Sequence, residues 1–404
     1  MKEPKHNYSI DLLGSDEQAR RIGPIKEAMR AAGIRHCLIY DNANIYYLTG
    51  RVFRGYVYIN TDLEAPLYFV RRPNHLTAGA GGGAVHYIRK PEEIRGILEQ
   101  AGIDPDAPVG LELGKNAYSE VMRLAAVFGG QTADVTAIMR ARRAVKTDAE
   151  IDAIRRSGVR QSLVYERIPH LYREGMTDIE FQIEIERASR LAGCLGQFRV
   201  SGTDMELFMG NVLTGENADC PSPYDFAMGG EGLDPSIPVG ANGTVIGENS
   251  PVMVDVNGNY DGYMTDMTRM YVAGTASDTV LKLNDLSRRI CDALASMMRP
   301  GAAAADLYAR AASMAAEAGM ADYFMGHRYH AGFVGHGVGI EVNELPVLAP
   351  RSKDILQAGN VIAVEPKFVI PGVGAVGIEN TYAVCDGRAA EKLTTASEAV
   401  VQLD

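Results

Sequence analysis

Asp255 and Asp266 stand eleven residues apart, and His336, Glu365 and Glu379 follow far downstream. Four carboxylates and one imidazole are the donor types that hold a pair of divalent cations. Carboxylates can bridge two ions about 3.5–4 Å apart and offset their repulsion, and an imidazole completes a shell of hard and borderline donors. Taken singly, an Asp at a strand end is usually a turn residue and a lone His a satisfied core histidine. These residues sit elsewhere: Asp255 ends the run Pro251-Val-Met-Val, Glu365 ends Val361-Ile-Ala-Val, and Glu379 follows Gly374-Ala-Val-Gly-Ile. A carboxylate in an apolar setting needs a cation or strong donors.

The elements that must position them divide the chain in two. An amphipathic helical pattern from Ser15 to Ala32 precedes a strand-like run through Cys37 and a turn expected at Asp41–Asn44. Strands at 56–59 and 66–70 and helical patterns near 92–102 and 116–129 complete a first α/β domain over 1–137. The glycine-rich stretch 79–83 lacks the strand-then-helix setting of a phosphate-binding turn and reads as a mobile connection. Thr147 and Glu150 then form a capping-box pair ahead of Ile151 and Ile154, opening a second domain over 138–404. That domain carries an echo. Gly175 and Gly193 bracket one turn-plus-helix segment and Gly301 and Gly319 another, at an offset of 126 residues. Such self-similarity suggests a duplicated half-domain whose halves face each other across a central site.

Composition bounds the function. With 404 residues, 46% hydrophobic and 23% charged, the chain is ordinary for a globular protein of two domains. A formal net charge of −11 argues against nucleic-acid or anionic-membrane partners, which need a basic face. The N-terminal residues show no apolar targeting core and no stretch reaches membrane-span length, so a cytoplasmic location is expected. Five scattered cysteines suit neither a disulfide framework nor a zinc ribbon and read as small core residues.

The motifs resemble the pita-bread metalloenzymes: aminopeptidase P, prolidase, methionine aminopeptidase and the metal-free creatinase. Asn44-Ile-Tyr-Tyr-Leu-Thr-Gly50 is similar to a segment of the creatinase-like N-terminal domain. Arg142 through Ile151 is similar to the start of the catalytic domain, and the blocks around Asp255, Asp266, His336, Glu365 and Glu379 match the metal motifs in order. The resemblance implies an α+β fold, with a duplicated pita-bread catalytic domain behind a smaller α/β domain, and a homodimer. It implies two divalent ions per chain, with Asp255 on one, Asp266 and Glu379 bridging, and His336 and Glu365 on the other. Carboxylate-rich shells suit Mn²⁺, while Co²⁺, Zn²⁺ and Fe²⁺ remain compatible with one His. The expected activity is that of an Xaa-Pro aminopeptidase or dipeptidase acting on short peptides, with Glu365 as proton acceptor and donor.

The chain departs from that pattern around the substrate position. Asn343 stands where prolidase-like enzymes place a second His; an Asn can still donate to an oxyanion but cannot shuttle a proton. No His lies between His170 and His327, and the segment Gly326-His327-Arg328-Tyr329-His330 offers His330 as a replacement imidazole or forms a solvated turn. Gly377 replaces a usual Arg. Lys367 follows Glu365-Pro366 where Gly is common, either as an anchor for a substrate carboxylate or as a solvated side chain. The loss of both substrate histidines is the feature that speaks for a rival reading, a hydrolase or lyase for a small non-peptide substrate such as a guanidino or amidine compound. A silent scaffold is disfavoured, because it has no use for costly buried acids.

Overall fold

The computed structural model describes residues 8–202 and 205–404. The N-terminal residues read for targeting, Met1–Asn7, and two positions of the loop after Ser201, Thr203 and Asp204, lie outside the described residues. The chain divides into two compact units, Met1–Arg143 and Ala144–Asp404. The helix Thr136–Ala144 spans the boundary expected at 137/138 and runs on to the division at 143/144.

The first unit is built on a six-stranded mixed sheet in the order Val85–Tyr87, Leu67–Arg72, Arg54–Asn60, His36–Ile39, Val109–Leu111, Thr132–Asp134. The helices Ser15–Ala31, Glu93–Gln100 and Tyr118–Val127 form where the apolar spacing places them. Ile94, Leu98, Leu124 and Val127 share one core with Leu38, Tyr58 and Phe69 of the sheet. Two expectations need correction. Asp41–Asn44 is no free turn but the start of the helix Asn42–Thr49, because the Asp41 carboxylate accepts the N–H groups of Ala43 and Asn44 and caps it. The 79–83 stretch is a loop, yet a closely packed one: the Gly81 N–H donates to Asp11, and a Cβ there would meet Gln18 Oε1 at 1.9 Å.

The second unit opens with the predicted capping box, Thr147 and Glu150 exchanging hydrogen bonds at the start of the helix Asp148–Tyr165. The duplication is visible in the backbone. The helices Asp178–Leu191 and Ala304–Glu317 have equal length and keep the 126-residue offset. All four bracketing glycines have positive φ, between 72° and 100°. Each helix follows a longer one, Asp148–Tyr165 or Asp278–Met297.

Two antiparallel arrays carry the candidate ligands. In one, Pro251–Val256 lies between Gly210–Thr214 and Thr268–Ala273, with Asp255 opposite Thr268. Alternation along this strand sends Val252, Val254 and Val256 into one apolar cluster and Met253 into another, so Asp255 shares the face of Met253. In the other array, Val361–Val364 lies between Gly335–Gly337 and Asn380–Ala383. Val364 pairs with Asn380, which makes Glu365 and Glu379 emerge side by side from neighbouring strand ends. Of the cysteines, Cys37, Cys194 and Cys291 are core residues as expected, whereas Cys220 and Cys385 are partly exposed. Among the described residues no helix is long and apolar enough to cross a membrane.

Candidate metal centre

The five expected ligands converge in the second unit as two overlapping groups, Asp266–His336–Glu379 and Asp255–Glu365–Glu379, with donor atoms in each within 4.8 Å of one another. His336 Nε2 lies 3.3 Å from Glu365 Oε1 and 3.8 Å from Asp266 Oδ2. Glu379 belongs to both groups, the arrangement a bridging carboxylate requires.

Neighbouring side chains hold this geometry. Thr381 Oγ1 receives the Asp266 N–H and donates to the Asp266 carbonyl. Thr268 Oγ1 donates to Glu379 Oε2 at 2.8 Å. Arg269, wholly buried, donates to the carbonyls of Thr268, Glu379 and Ala396 and to Asn380 Oδ1. It thereby ties the strand after Asp266 to the strand after Glu379. Under the turn that follows the His336 strand and carries Asn343, Lys146 and Glu344 form a buried ion pair at 2.9 Å, and Glu344 Oε1 also accepts the N–H groups of Ile340 and Glu341.

Lys367 is the residue whose role sequence reasoning missed. It is neither a solvated side chain nor a substrate anchor: its side chain is 0% exposed, and Nζ lies 2.8 Å from both Asp255 Oδ2 and Glu365 Oε2 and 3.8 Å from Glu379 Oε2. The available signal was a lone lysine inside Val-Glu-Pro-Lys-Phe-Val-Ile, since a cation in so apolar a run is seldom tolerated without counter-charges.

The electrostatics show a site short of positive charge. Burial, reinforced by the charge of Asp255, pushes the Asp266 carboxyl up to about 8. Burial also drives Glu379 well above the carboxylate range, with Asp266 and Glu365 adding to it. For His336, burial opposes the charged ring, yet the hydrogen bond and charge of Glu365 raise it to about 9. Lys367 likewise stays charged against burial because Asp255, Glu365 and Glu379 surround it. Burial would raise Glu365, but the Lys367 charge and the His336 contact hold it below its ordinary value. Glu379 Oε1 is buried with no hydrogen-bond partner among the described residues. An orphaned carboxylate oxygen beside Asp266 and His336 fits a divalent cation there.

The substrate-side candidates fare differently. Asn343 is half-buried, and its amide clasps the backbone of Ser201, accepting its N–H at 2.6 Å and donating to its carbonyl at 3.2 Å. His330, expected as a replacement imidazole, is exposed and its Nδ1 faces the Phe324 carbonyl. It is absent from the groups that converge on the carboxylates, because the turn carrying it closes on itself through a Gly326–His330 bridge. His327 pairs with Asp219.

Residues 152–386 match the family described as Metallopeptidase family M24. The chain belongs to metallopeptidase family M24. Residues 21–145 of this M24 protein match the Creatinase/Prolidase N-terminal domain. Among its relatives, the probable dipeptidase PepE of Mycobacterium tuberculosis is 29% identical over 270 residues, 67% of this chain and 64% of that protein. The chain thus aligns with just under two thirds of that relative's length. The Xaa-Pro dipeptidase of Pyrococcus horikoshii is 25% identical over 377 residues, 91% of this chain and 95% of that one. The Xaa-Pro dipeptidase structure from Bacillus anthracis superposes with a TM-score of 0.78 at 22% identity, covering 96% of this chain and all of the other. The expected pita-bread architecture with a creatinase-like N-terminal domain is therefore met.

Proposed function

We propose that this M24 protein is a metal-dependent peptidase of the Xaa-Pro dipeptidase or aminopeptidase type, cleaving a bond near the N-terminus of short peptides. The convergence of Asp266, His336 and Glu379 beside Glu365 carries the reading, and the Xaa-Pro dipeptidase relatives support the substrate class. The donor set favours Mn²⁺ first, with Co²⁺, Zn²⁺ or Fe²⁺ as substitutes. When bound, such an ion supplies Lewis acidity, bringing water toward ionisation at neutral pH and polarising a carbonyl.

The chain's own residues do the rest. Asp266, His336 and Glu379 supply the donors. Glu365, kept ionised by Lys367 and His336, takes the proton of the attacking water and returns it to the leaving nitrogen. Asn343 retains one amide N–H beyond its clasp on Ser201, enough to donate to a developing oxyanion. A cytoplasmic enzyme that pairs with a second copy completes the proposal, and sedimentation tests the pairing.

The deciding experiment is hydrolysis of Xaa-Pro and non-proline dipeptides by protein reloaded with Mn²⁺ or Co²⁺, beside Asp266→Ala. Turnover that requires both the ion and Asp266 is the expected result. Ion-loaded protein that turns over no peptide would sink the reading in favour of a small amidine or guanidino substrate.

A further inference from the structure

Lys367 is the one member of the cluster whose type has no place in a metal shell, and it sits within one of the two donor groups. Its Nζ donates to Asp255 Oδ2 and Glu365 Oε2, both at 2.8 Å, and to the Ala227 carbonyl at 3.4 Å, which uses all three N–H directions. With Glu379 Oε2 at 3.8 Å, the ammonium faces all three carboxylates of the Asp255–Glu365–Glu379 group. A cation bonded to these carboxylates at about 2.0–2.2 Å would compete with the ammonium for the same oxygens.

The backbone is shaped for this lysine. Lys367 begins the strand Lys367–Ile370 and pairs across the hairpin with Gly377. A Cβ at 377 would stand 2.7 Å from the Pro366 carbonyl, 2.8 Å from Lys367 Cα and 2.9 Å from its Cγ, so Gly377 lets the two strands close up and leaves the lysine stem its space. Formal charge does not separate the two states: against the carboxylates of Asp255, Asp266, Glu365 and Glu379, one divalent ion with the ammonium falls one charge short and two with it exceed by one, so the displacement rests on the oxygens that the ammonium already occupies.

We infer that the Lys367 ammonium takes the place of one of the two metal ions, so that the protein is a single-ion centre in which Asp266, His336 and Glu379 hold one divalent cation and Asp255 and Glu365 hold the lysine. The inference rests on the reading of this cluster as a metal centre and changes its stoichiometry. Asp255 then serves as the partner of an ammonium and not as the ligand of a metal. The fixed cation can neither exchange nor accept a lone pair, so it orients Glu365 and tempers its charge without acting as a Lewis acid.

The test is metal content after reloading with excess Mn²⁺ and removal of free ion, measured by elemental analysis, together with the electron paramagnetic resonance spectrum. The expected result is about one Mn²⁺ per chain with the six-line signal of an isolated ion. Asp255→Asn should keep that ion, whereas His336→Ala should lose it. Lys367→Ala should raise the content toward two; if that variant does not fold, the unaltered chain and Asp255→Asn still decide. Two ions per chain, or an exchange-coupled pair, in the unaltered protein would overturn the role of Lys367 and leave the metallopeptidase reading standing. Loss of the ion in Asp255→Asn would also overturn that role. No bound ion at all would bring down both.

Discussion

Arg269 is the largest of the fully buried side chains among the described residues, and its guanidinium makes its contacts with backbone carbonyls and an Asn amide, with no carboxylate at hydrogen-bonding distance. Replacing it with Met would leave those acceptors unpaired, at about 1–3 kcal/mol for each. Arg269→Met should therefore unfold at clearly lower urea concentration, and its metal affinity should fall because the strands after Asp266 and Glu379 are no longer tied. A second residue-scale expectation concerns protons. In the ion-free protein Asp266, raised to about 8, and His336, raised to about 9, both hold protons at neutral pH. A cation binds only their deprotonated forms, so uptake must release protons and affinity must climb from neutral pH toward 9. Calorimetric titration in two buffers of different ionisation enthalpy measures the release; binding enthalpies that do not depend on the buffer would refute it. That Asp255, Asp266, His336, Glu365 and Glu379 belong together was legible in the sequence because each stands in an apolar or glycine-rich run. Lys367 was not, because a residue type says nothing of which way a side chain points after a proline, and the direction decides between solvent, substrate and carboxylates.

At the scale of elements, the hairpin Lys367–Ile370 with Gly374–Gly377 and the turn carrying Asn343 are the two pieces most sensitive to small changes. Gly377→Ala forces a Cβ against the Lys367 backbone, and overpacking of this kind costs typically about 1–3 kcal/mol. Lys367→Gly in the same chain removes the Cγ contact and should recover part of the loss, read as the shift in melting temperature between single and double variants. Under the Asn343 turn, Lys146→Met would take the ammonium away from a Glu344 carboxylate that is 3% exposed. Breaking a buried pair from one side costs about 3–5 kcal/mol, and a denaturation curve indistinguishable from that of the unaltered chain would contradict the pairing. Elements announced by local chemistry were readable in advance: Thr147–Glu150 by its capping box, the helices at 93–100 and 118–127 by their spacing. The helix Asn42–Thr49 was not, since Asp41, Asn42 and Asn44 are turn formers and the cap that converts them to a helix start depends on hydrogen bonds.

For the molecule as a whole, all five candidate ligands lie in the unit Ala144–Asp404, so a bound ion should stabilise that unit through mass action. At an ion concentration of about 100 Kd the gain is about 2.7 kcal/mol. Hydrogen exchange followed by mass spectrometry should show Mn²⁺ slowing exchange in the strands Pro251–Val256, Thr268–Ala273, Val361–Val364 and Asn380–Ala383, with no slowing in His36–Ile39 or Val109–Leu111 of the other unit. Uniform protection of both units would contradict a local site. Two-unit organisation was visible from the change of pattern at the Thr147–Glu150 capping box, and the echoed half-domains from glycines that bracket the helices Asp178–Leu191 and Ala304–Glu317 at a fixed offset. Which side chains of each strand array line the site was not, because it depends on which alternate side chains each strand buries.

The first residues of the second unit are stitched into its far end. The Lys146 N–H donates to the Gly359 carbonyl, Asn360 Nδ2 donates to the Ala144 carbonyl, and Val145 bridges Asn360. Anyone wishing to express that unit by itself should therefore begin no later than Ala144. A version begun at the helix start, Asp148, would be trimmed of the very seam that closes around residues 359–360, and of the counter-charge beneath the Asn343 turn, and should be recovered as insoluble material.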